Sequence, residues 1–367
     1  MFIDSFIHQI IFVQHFCNVQ VEHIYLSSYP SKISKQGKER LRWLHTFSNQ
    51  GFLISESPEN ADLILISHPG NDLSKQEYLT ELQTHPLITR YPEKCFTVSF
   101  FKDKPLLLNR GIYESPIKLW RHHKRFKTGA YLSHLFNPFI VKAVNSGHES
   151  VQMDRRYLAS FIGRRSHSLR VKIFNQTFKR PDIIIRDSSG FNAWSKKTNE
   201  ENKKDHEQYL NILSQSKFAI CPRGAGSSSI RLFEAMSLGI CPVIISDEWV
   251  PPAGPDWNEF CIFLKESEID DLESVLEVYE DECFEMGKKA FIAYWEYFSD
   301  EKYFDYLINC CVEIKGNQQI SEAIYWKFKI IQVIRYILYY WIKKKRLKLY
   351  WAVMNMKSRL FKLFNQS

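Results

Sequence analysis

Residues 218–257 read FAICPRGAGSSSIRLFEAMSLGICPVIISDEWVPPAGPDW. An apolar strand, Phe218–Cys221, runs into a loop rich in glycine and serine, and a helix is expected over Ser227–Leu238. Gly239 stops that helix, and a second apolar strand follows at Ile240–Ser246. Because a strand, a helix and a strand in this order join parallel strands, the stretch predicts an α/β fold.

The loop before the helix is suited to a phosphate group. Gly224 and Gly226 let the backbone approach a ligand closely, and the helix N-terminus offers N–H donors with a partial positive charge. Glycines also occur in α/β turns merely to make the bend, so the loop alone leaves both interpretations open.

Arg231 and Glu234 are isolated charges on an otherwise apolar helix, and they share one face because they are three residues apart. They are expected either to pair with each other or to bind a ligand. A buried ion pair rarely stabilises a fold, which favours a ligand with phosphate and hydroxyl groups. Arginine binds phosphate bidentately, and a carboxylate accepts hydrogen bonds from a ribose diol.

Alternating strands and helices continue through most of the chain. In the first half, apolar strands are expected at His23–Leu26, Leu63–Ser67 and Cys95–Phe100, with a helix over Lys38–Asn49. A second α/β series begins at Tyr157. We therefore predict an N-terminal α/β domain over 1–150, a C-terminal α/β domain over 151–318, and a basic helical tail over 319–367.

The composition, with 44% hydrophobic and 25% charged residues, is that of a globular enzyme. None of the eight cysteines has CxxC or CxxxC spacing, so a zinc site is not expected. The N-terminal segment lacks the basic region of a signal peptide. Free thiols and a cytoplasmic location follow as expectations.

The tail accounts for all of the net charge of +8, because residues 319–367 contain eleven lysines or arginines and one acid, and the rest of the chain is close to neutral. Its apolar residues recur at helical spacing, but its charges are too frequent for a membrane span. An amphipathic helix of this kind is expected to lie on an anionic membrane, at the inner face. The alternative is a helix packed on the body. No nucleic-acid reader motif accompanies the charge, so nucleic acid is not an expected partner.

Several segments of the chain match a known family. The segments that carry the match are Cys221-Pro222-Arg223-Gly224, Ser229-x-Arg231-Leu232-x-Glu234-Ala235, Gly239-Ile240-Cys241-Pro242-Val243, Trp249-x-Pro251, and upstream Phe161-Ile162-Gly163-Arg164 with Arg170. They resemble the C-terminal nucleotide-sugar-binding domain of the exostosin family, glycosyltransferase family 47, over about residues 155–265.

The resemblance implies an α/β fold of GT-B type, with two Rossmann-like domains facing a cleft. It implies that the domain over 1–150 binds the acceptor and that the domain over 151–318 binds the nucleotide-sugar. It implies an inverting glycosyltransferase that moves a sugar from a UDP-linked donor to a glycan or lipid-linked acceptor. It also implies that the donor is held by Arg164, Arg170, Arg223, Gly224, Ser229, Arg231 and Glu234. Since arginines and a helix N-terminus can stabilise the leaving diphosphate, and no Asp-x-Asp motif occurs, neither a metal nor another cofactor is expected.

An inverting transfer needs a general base, and the sequence offers only weak candidates. Asp103 and His68 are the two that we name, with the His122-His123 pair as a further possibility. A function of another class also stays open: a non-catalytic protein of this fold that docks another transferase or a membrane.

Overall fold

The computed structural model describes residues 21–68, 85–100, 109–116, 118, 124–132, 140, 142, 155–189 and 199–327. Within these residues the chain forms two parallel β-sheets with helices packed on them. Asp103, the His122-His123 pair and the tail beyond residue 327 lie outside them.

The first sheet has the strand order β2-β1-β3-β4-β5-β6, and every described pairing in it is parallel. All five residues of β3 are buried, as expected for a strand covered on both faces. The strands are β1 (His23–Ser28), β2 (Leu53–Ile54), β3 (Leu63–Ser67), β4 (Cys95–Val98), β5 (Gly111–Tyr113) and β6 (Phe126–Thr128), with helices α1 (Lys32–His45) and α2 (Pro86–Arg90).

Helix α1 differs from the predicted helix over Lys38–Asn49, because it begins six residues earlier. Ser31 caps it, since the Ser31 side chain accepts a hydrogen bond from the Ser34 backbone N–H. The prediction relied on apolar spacing and missed this cap.

The second sheet has the order β11-β10-β9-β7-β8, again with parallel pairings. The strands are β7 (Tyr157–Gly163), β8 (Ile183–Asp187), β9 (Ser216–Pro222), β10 (Cys241–Ile245) and β11 (Ile262–Leu264). The helices between and after them are α3 (Ser168–Asn175), α4 (Asn199–Ser214), α5 (Ile230–Ser237), α6 (Leu272–Val278) and α7 (Cys283–Ala293).

Helix α5 connects β9 to β10, as the quoted stretch predicts, although it begins at Ile230 rather than at Ser227. The serines before it have other partners: the Ser227 hydroxyl donates to the Pro116 carbonyl at 3.0 Å. Gly239 has a φ of 68°, a conformation that glycine adopts without strain, and this lets the chain turn from α5 into β10.

The last described helices return to the first sheet. A π-helical turn, Tyr294–Phe298, continues α7 and leads into α8 (Asp300–Gly316) and α9 (Glu322–Lys327). Helix α8 packs beside β5 and β6, where the Tyr306 hydroxyl donates to the Thr128 carbonyl at 2.9 Å. Arg40 of α1 pairs with Asp300 at 2.7 Å. The first sheet is thus covered in part by the C-terminal end of the described chain.

Candidate functional site

The strand order of the second sheet marks the position of a ligand site. From β7 the chain moves outward to β8 on one side, and then to β9, β10 and β11 on the other. In open parallel sheets, ligands bind outside the carboxyl ends of the strands at the point where this direction reverses. That point lies between β7, which ends at Gly163, and β9, which ends at Pro222.

Two arginines meet at this crevice. Arg170, on α3, donates from Nε to the Arg223 carbonyl and from Nη2 to the Pro222 carbonyl, both at 3.0 Å. Arg231, on α5, donates from Nη2 to the Ile162 carbonyl. Their guanidinium carbons lie 5.5 and 4.7 Å from the centroid of the Phe161 ring. The structure therefore fixes two guanidinium groups, from two helices, against the ends of β7 and β9.

Within the described residues, the nearest charge of opposite sign is that of Glu234, which acts on Tyr209 and Cys221 together with Arg231. Burial, followed by the positive charge of Arg231, lowers the pKa of the Arg170 guanidinium to about 9. Neither arginine forms an ion pair with any acid in the described part of the chain. Adjacent buried cations are costly unless an anion compensates them. The arrangement is therefore suited to an anionic ligand.

Glu234 lies one turn further along α5 and is 4% exposed. It accepts a hydrogen bond from the Tyr209 hydroxyl of α4, and burial raises the pKa of Tyr209 well above its usual value. Among the described contacts, Arg231 and Glu234 do not pair with each other. Arg231 instead bonds to the backbone of β7.

The other predicted donor residues occupy different positions around the crevice. The Arg223 side chain is 11% exposed and lies 3.6 Å from Glu266, while its buried Nε has no hydrogen-bond partner in the described residues. Gly224 packs against α3, because a Cβ there would lie 3.2 Å from Nη2 of Arg170. Ser229 is the buried N-cap residue of α5, and Arg164 is exposed. Arg164 is the one predicted donor residue that the structure leaves on the surface.

The carboxyl edges of the two sheets touch at a seam, which we define by Ser115, Pro116 and Lys118 on one side and Ser227, Ser228, Glu248 and Trp249 on the other. Two hydrogen bonds cross it, from Ser227 Oγ to the Pro116 carbonyl at 3.0 Å and from the Lys118 N–H to the Glu248 carbonyl at 3.2 Å. Tyr131, which follows β6, is close enough to influence the pKa of Arg170. The crevice thus faces the first domain.

Of the two general-base candidates, only His68 can be placed. It follows β3 and is 2% exposed, and burial lowers its pKa to about 3. An imidazole with so low a pKa accepts a proton poorly, which makes His68 a weak base. Asp103 lies outside the described residues.

Sequence reasoning overlooked Glu114. This residue follows β5 at the carboxyl edge of the first sheet, is 1% exposed, and precedes the seam residues Ser115 and Pro116. An acidic residue directly after an apolar strand is the sequence pattern that could have indicated Glu114. Strand β5 has only three residues and was not predicted.

No cluster of metal-ligating side chains is found within the described ranges. Seven cysteines in those ranges are free and buried. Burial raises the pKa of Cys221, which lies close to Arg231, to about 12. Its thiol therefore stays protonated and is a poor nucleophile.

A family model matches this part of the chain. Residues 106–279, which include the crevice, the seam and Glu114, match the model described as the Exostosin GT47 domain. Over these residues the chain is similar to the exostosin GT47 family. The resemblance predicted from the quoted stretch is confirmed.

Curated relatives match parts of the chain. The chain is 27% identical to an exostosin-1 homolog of Caenorhabditis elegans over 39% of this chain and 41% of that protein. It is 33% identical to a probable glycosyltransferase of Arabidopsis thaliana over 34% and 24% of the two chains. It is 34% identical to a probable glucuronosyltransferase of Oryza sativa subsp. japonica over 24% and 22%. The chain thus matches less than half the length of each of these relatives.

Among solved structures, an α1,3-fucosyltransferase with GDP aligns with 84% of this chain and 94% of its own, at 13% identity and a TM-score of 0.38. The predicted α/β class is confirmed, because the described residues form two parallel sheets with helices packed on them. The two hydrogen bonds across the seam link the carboxyl ends of the two sheets.

Proposed function

We propose that this chain is an inverting glycosyltransferase that moves a sugar from a UDP-linked donor to a glycan or lipid-linked acceptor. The observation that carries the proposal is the pair of buried guanidinium groups, Arg170 and Arg231, at the switch point of the second sheet. A nucleoside diphosphate supplies the negative charge that this pair lacks.

The same groups suit the chemistry of transfer. When the bond between the anomeric carbon and the diphosphate breaks, the electron pair leaves with the diphosphate, and negative charge develops there. Arg170 and Arg231 are held in place by the carbonyls of Pro222, Arg223 and Ile162, so they need little reorganisation. We therefore also propose that the transfer needs no metal ion.

The donor site is tested by titrating the protein with UDP, GDP and ADP, with and without added Mg²⁺, by calorimetry. We expect UDP to bind with a Kd in the micromolar range, unchanged by chelation of divalent cations, and more tightly than GDP or ADP. Binding of none of the three would refute the proposal. A screen of UDP-sugars for release of UDP then identifies the donor.

We further propose that the protein works at the cytoplasmic face of a membrane, held there by residues 319–367. Within the described residues, no helix is long and apolar enough to cross a bilayer. The support for peripheral binding is the charge of the tail, since basic residues near an anionic surface contribute about 1 kcal/mol each.

Removal of residues 339–367 is expected to release the protein from vesicles that contain anionic lipid, measured by co-sedimentation. The full chain should also be released by high salt, because the attraction is screened. Vesicles of neutral lipid serve as the control and should bind neither protein. Unchanged binding of the truncated protein to anionic vesicles would show that the tail is not the membrane contact.

A further inference from the structure

We infer that Tyr209 of α4 is a positioning residue of the donor site, which holds Arg231 and Glu234 apart so that each binds a different part of the nucleoside diphosphate. This inference rests on the proposed function, because the positioning has a role only if the nucleotide binds there. It adds a residue that the sequence pattern does not indicate, since α4 lies outside the glycine loop and the helix α5 that follows it.

Tyr209 contacts both charged groups of α5. Its hydroxyl donates a hydrogen bond to Oε2 of Glu234, and the guanidinium carbon of Arg231 lies 5.6 Å from the centroid of its ring. The Phe161 ring lies beside the same guanidinium carbon, at 4.7 Å. Two aromatic rings therefore border the Arg231 guanidinium, and one of them carries the hydroxyl that bonds to Glu234.

The position of Tyr209 bears on a competing contact between the two charges. Residues three apart on a helix are neighbours, and an arginine and a glutamate at this spacing can form an ion pair. In the described contacts, Arg231 instead donates to the Ile162 carbonyl, while Glu234 accepts from Tyr209. Both charges thus have neutral partners. A guanidinium and a carboxylate that neutralised each other would bind a ligand less strongly than two groups held apart.

Two separate groups match the two polar parts of a nucleoside diphosphate. A guanidinium binds phosphate oxygens bidentately, and a carboxylate accepts hydrogen bonds from a ribose diol. A carboxylate can accept about four hydrogen bonds, so the bond from Tyr209 is compatible with further bonds from a diol. The Tyr209 hydroxyl would fix the direction in which the Glu234 carboxylate accepts them.

The packing of α4 gives Tyr209 a defined position. Helix α4 packs against β7 and β9, and Ile212 and Leu213, 4% and 1% exposed, share a helix face with Tyr209. Just beyond the helix, the Ser216 hydroxyl donates to the Ile212 carbonyl at 2.7 Å. The apolar side of α4 therefore fixes the ring of Tyr209 relative to the two strands whose ends form the crevice.

The cluster is connected to the glycine loop and reaches the surface. Tyr209 is half-buried, whereas Glu234 is 4% exposed. Arg170 borders the Phe161 ring at 5.5 Å, and its Nη2 lies 3.2 Å from the position of a Cβ on Gly224. The loop, both arginines and Tyr209 thus form one connected set of contacts at the carboxyl ends of β7 and β9.

Tyr209→Phe tests the hydroxyl, because it keeps the ring. Calorimetry measures the affinity of the full chain for UDP, for 2′,3′-dideoxy-UDP and for inorganic pyrophosphate. We expect the wild type to prefer UDP over the dideoxy analogue by about 100-fold, since a site that bonds to a hydroxyl rejects the analogue that lacks it. Tyr209→Phe should reduce this preference by about tenfold and change the Kd for pyrophosphate by less than about twofold.

A second substitution and a control separate the ring from the hydroxyl. Tyr209→Leu also removes the ring beside Arg231 and should weaken the binding of pyrophosphate by about threefold or more. Tyr91→Phe is the matched control. It removes a bond of the same kind, from a tyrosine hydroxyl to Glu59, which precedes β3 at the amino edge of the first sheet. All three affinities should stay at their wild-type values.

A double-mutant cycle shows whether the Tyr209 hydroxyl acts through Glu234. In Glu234→Ala the carboxylate is absent, so the further change Tyr209→Phe should alter the Kd for UDP by less than about twofold. Thermal unfolding shows that each variant is folded. An additional loss in the double variant as large as that in Tyr209→Phe alone would show that the hydroxyl does not act through this carboxylate.

The ratio of the affinities for UDP and its dideoxy analogue distinguishes positioning from a merely structural role. If Tyr209→Phe weakens the binding of all three ligands by the same factor, or leaves the ratio at its wild-type value, Tyr209 does not position Glu234, although the donor site would stand. A wild-type protein without any preference for UDP over the analogue would overturn the inference in the same way. If the wild type binds neither UDP nor pyrophosphate, the proposed function itself fails.

Discussion

Arg231→Ala is expected to weaken the binding of UDP by about 100-fold, because it removes charge-assisted hydrogen bonds worth about 1.5–3 kcal/mol each. Arg231 is 8% exposed, its guanidinium lies against Phe161, and it is held by the Ile162 carbonyl beside Arg170. Removing it halves the positive charge of the pair. Calorimetric titration with UDP measures the effect directly.

Two further variants make this result specific. Arg231→Lys keeps the charge but loses the planar fork, so its affinity for UDP should lie between those of the wild type and Arg231→Ala. Arg180→Ala is the control, because Arg180 pairs with Asp182 and Glu280 before the start of β8, at the opposite edge of the sheet. It should bind UDP as the wild type does. Thermal unfolding shows that each variant is folded.

The same titration decides between an enzyme and a scaffold. A non-catalytic docking protein has no use for a nucleotide, so its partner binding should survive Arg231→Ala. Affinities for UDP that are equal in the wild type and Arg231→Ala would contradict the donor site. They would favour the docking alternative that the sequence leaves open.

The proposed donor side could be predicted from the sequence because its signals are local. The glycine loop, the helix and the isolated charges at Arg231 and Glu234 fall within about a dozen residues. Their partners are not local. Nothing in the sequence indicated that Arg231 bonds to the Ile162 carbonyl, 69 positions away, or that Tyr209 donates to Glu234. These contacts depend on how α4 and α5 pack on the sheet.

The burial of Glu114 could not be predicted, because it depends on contacts that are not local. Glu114 follows a strand of three residues, too short for an alternation pattern, and its burial depends on α8, which begins almost 200 positions later. Helix α8 has an apolar face that includes Tyr303, Leu307 and Ile314, and this face indicates that the helix is buried. The pattern does not specify which sheet covers it.

The attachment of the C-terminal helices to the first sheet rests on a buried ion pair. Arg125, which precedes β6, donates from Nη2 to Glu322 of α9 at 2.8 Å and from Nη1 to the second carboxylate oxygen. The side chains are 12% and 2% exposed. Burial lowers the pKa of the nearby Arg110, and the charge of Glu322 opposes that change. Glu322 thus compensates two buried arginines.

Glu322→Gln is therefore expected to lower the free energy of unfolding by about 3–5 kcal/mol, because it removes the carboxylate that accepts from Arg125 and one of the acids that offset the burial of Arg110. Denaturation with urea measures the loss, and amide hydrogen exchange over residues 300–327 shows whether α8 and α9 detach first. Glu268→Gln is the control. Glu268 pairs with Lys265 on the surface, with side chains 41% and 72% exposed, so its loss should cost less than about 1 kcal/mol.

A double substitution tests whether the loss of stability comes from leaving a buried charge without its carboxylate partner. Arg125→Met with Glu322→Leu removes both charges together and should recover much of the stability lost in Glu322→Gln. Both arginines precede their strands, so this ion pair lies at the amino edge of the first sheet, opposite the seam. The Kd for UDP should therefore stay at the wild-type value in the folded fraction of each variant. A loss below about 1 kcal/mol in Glu322→Gln would show that α9 is held by its apolar contacts instead.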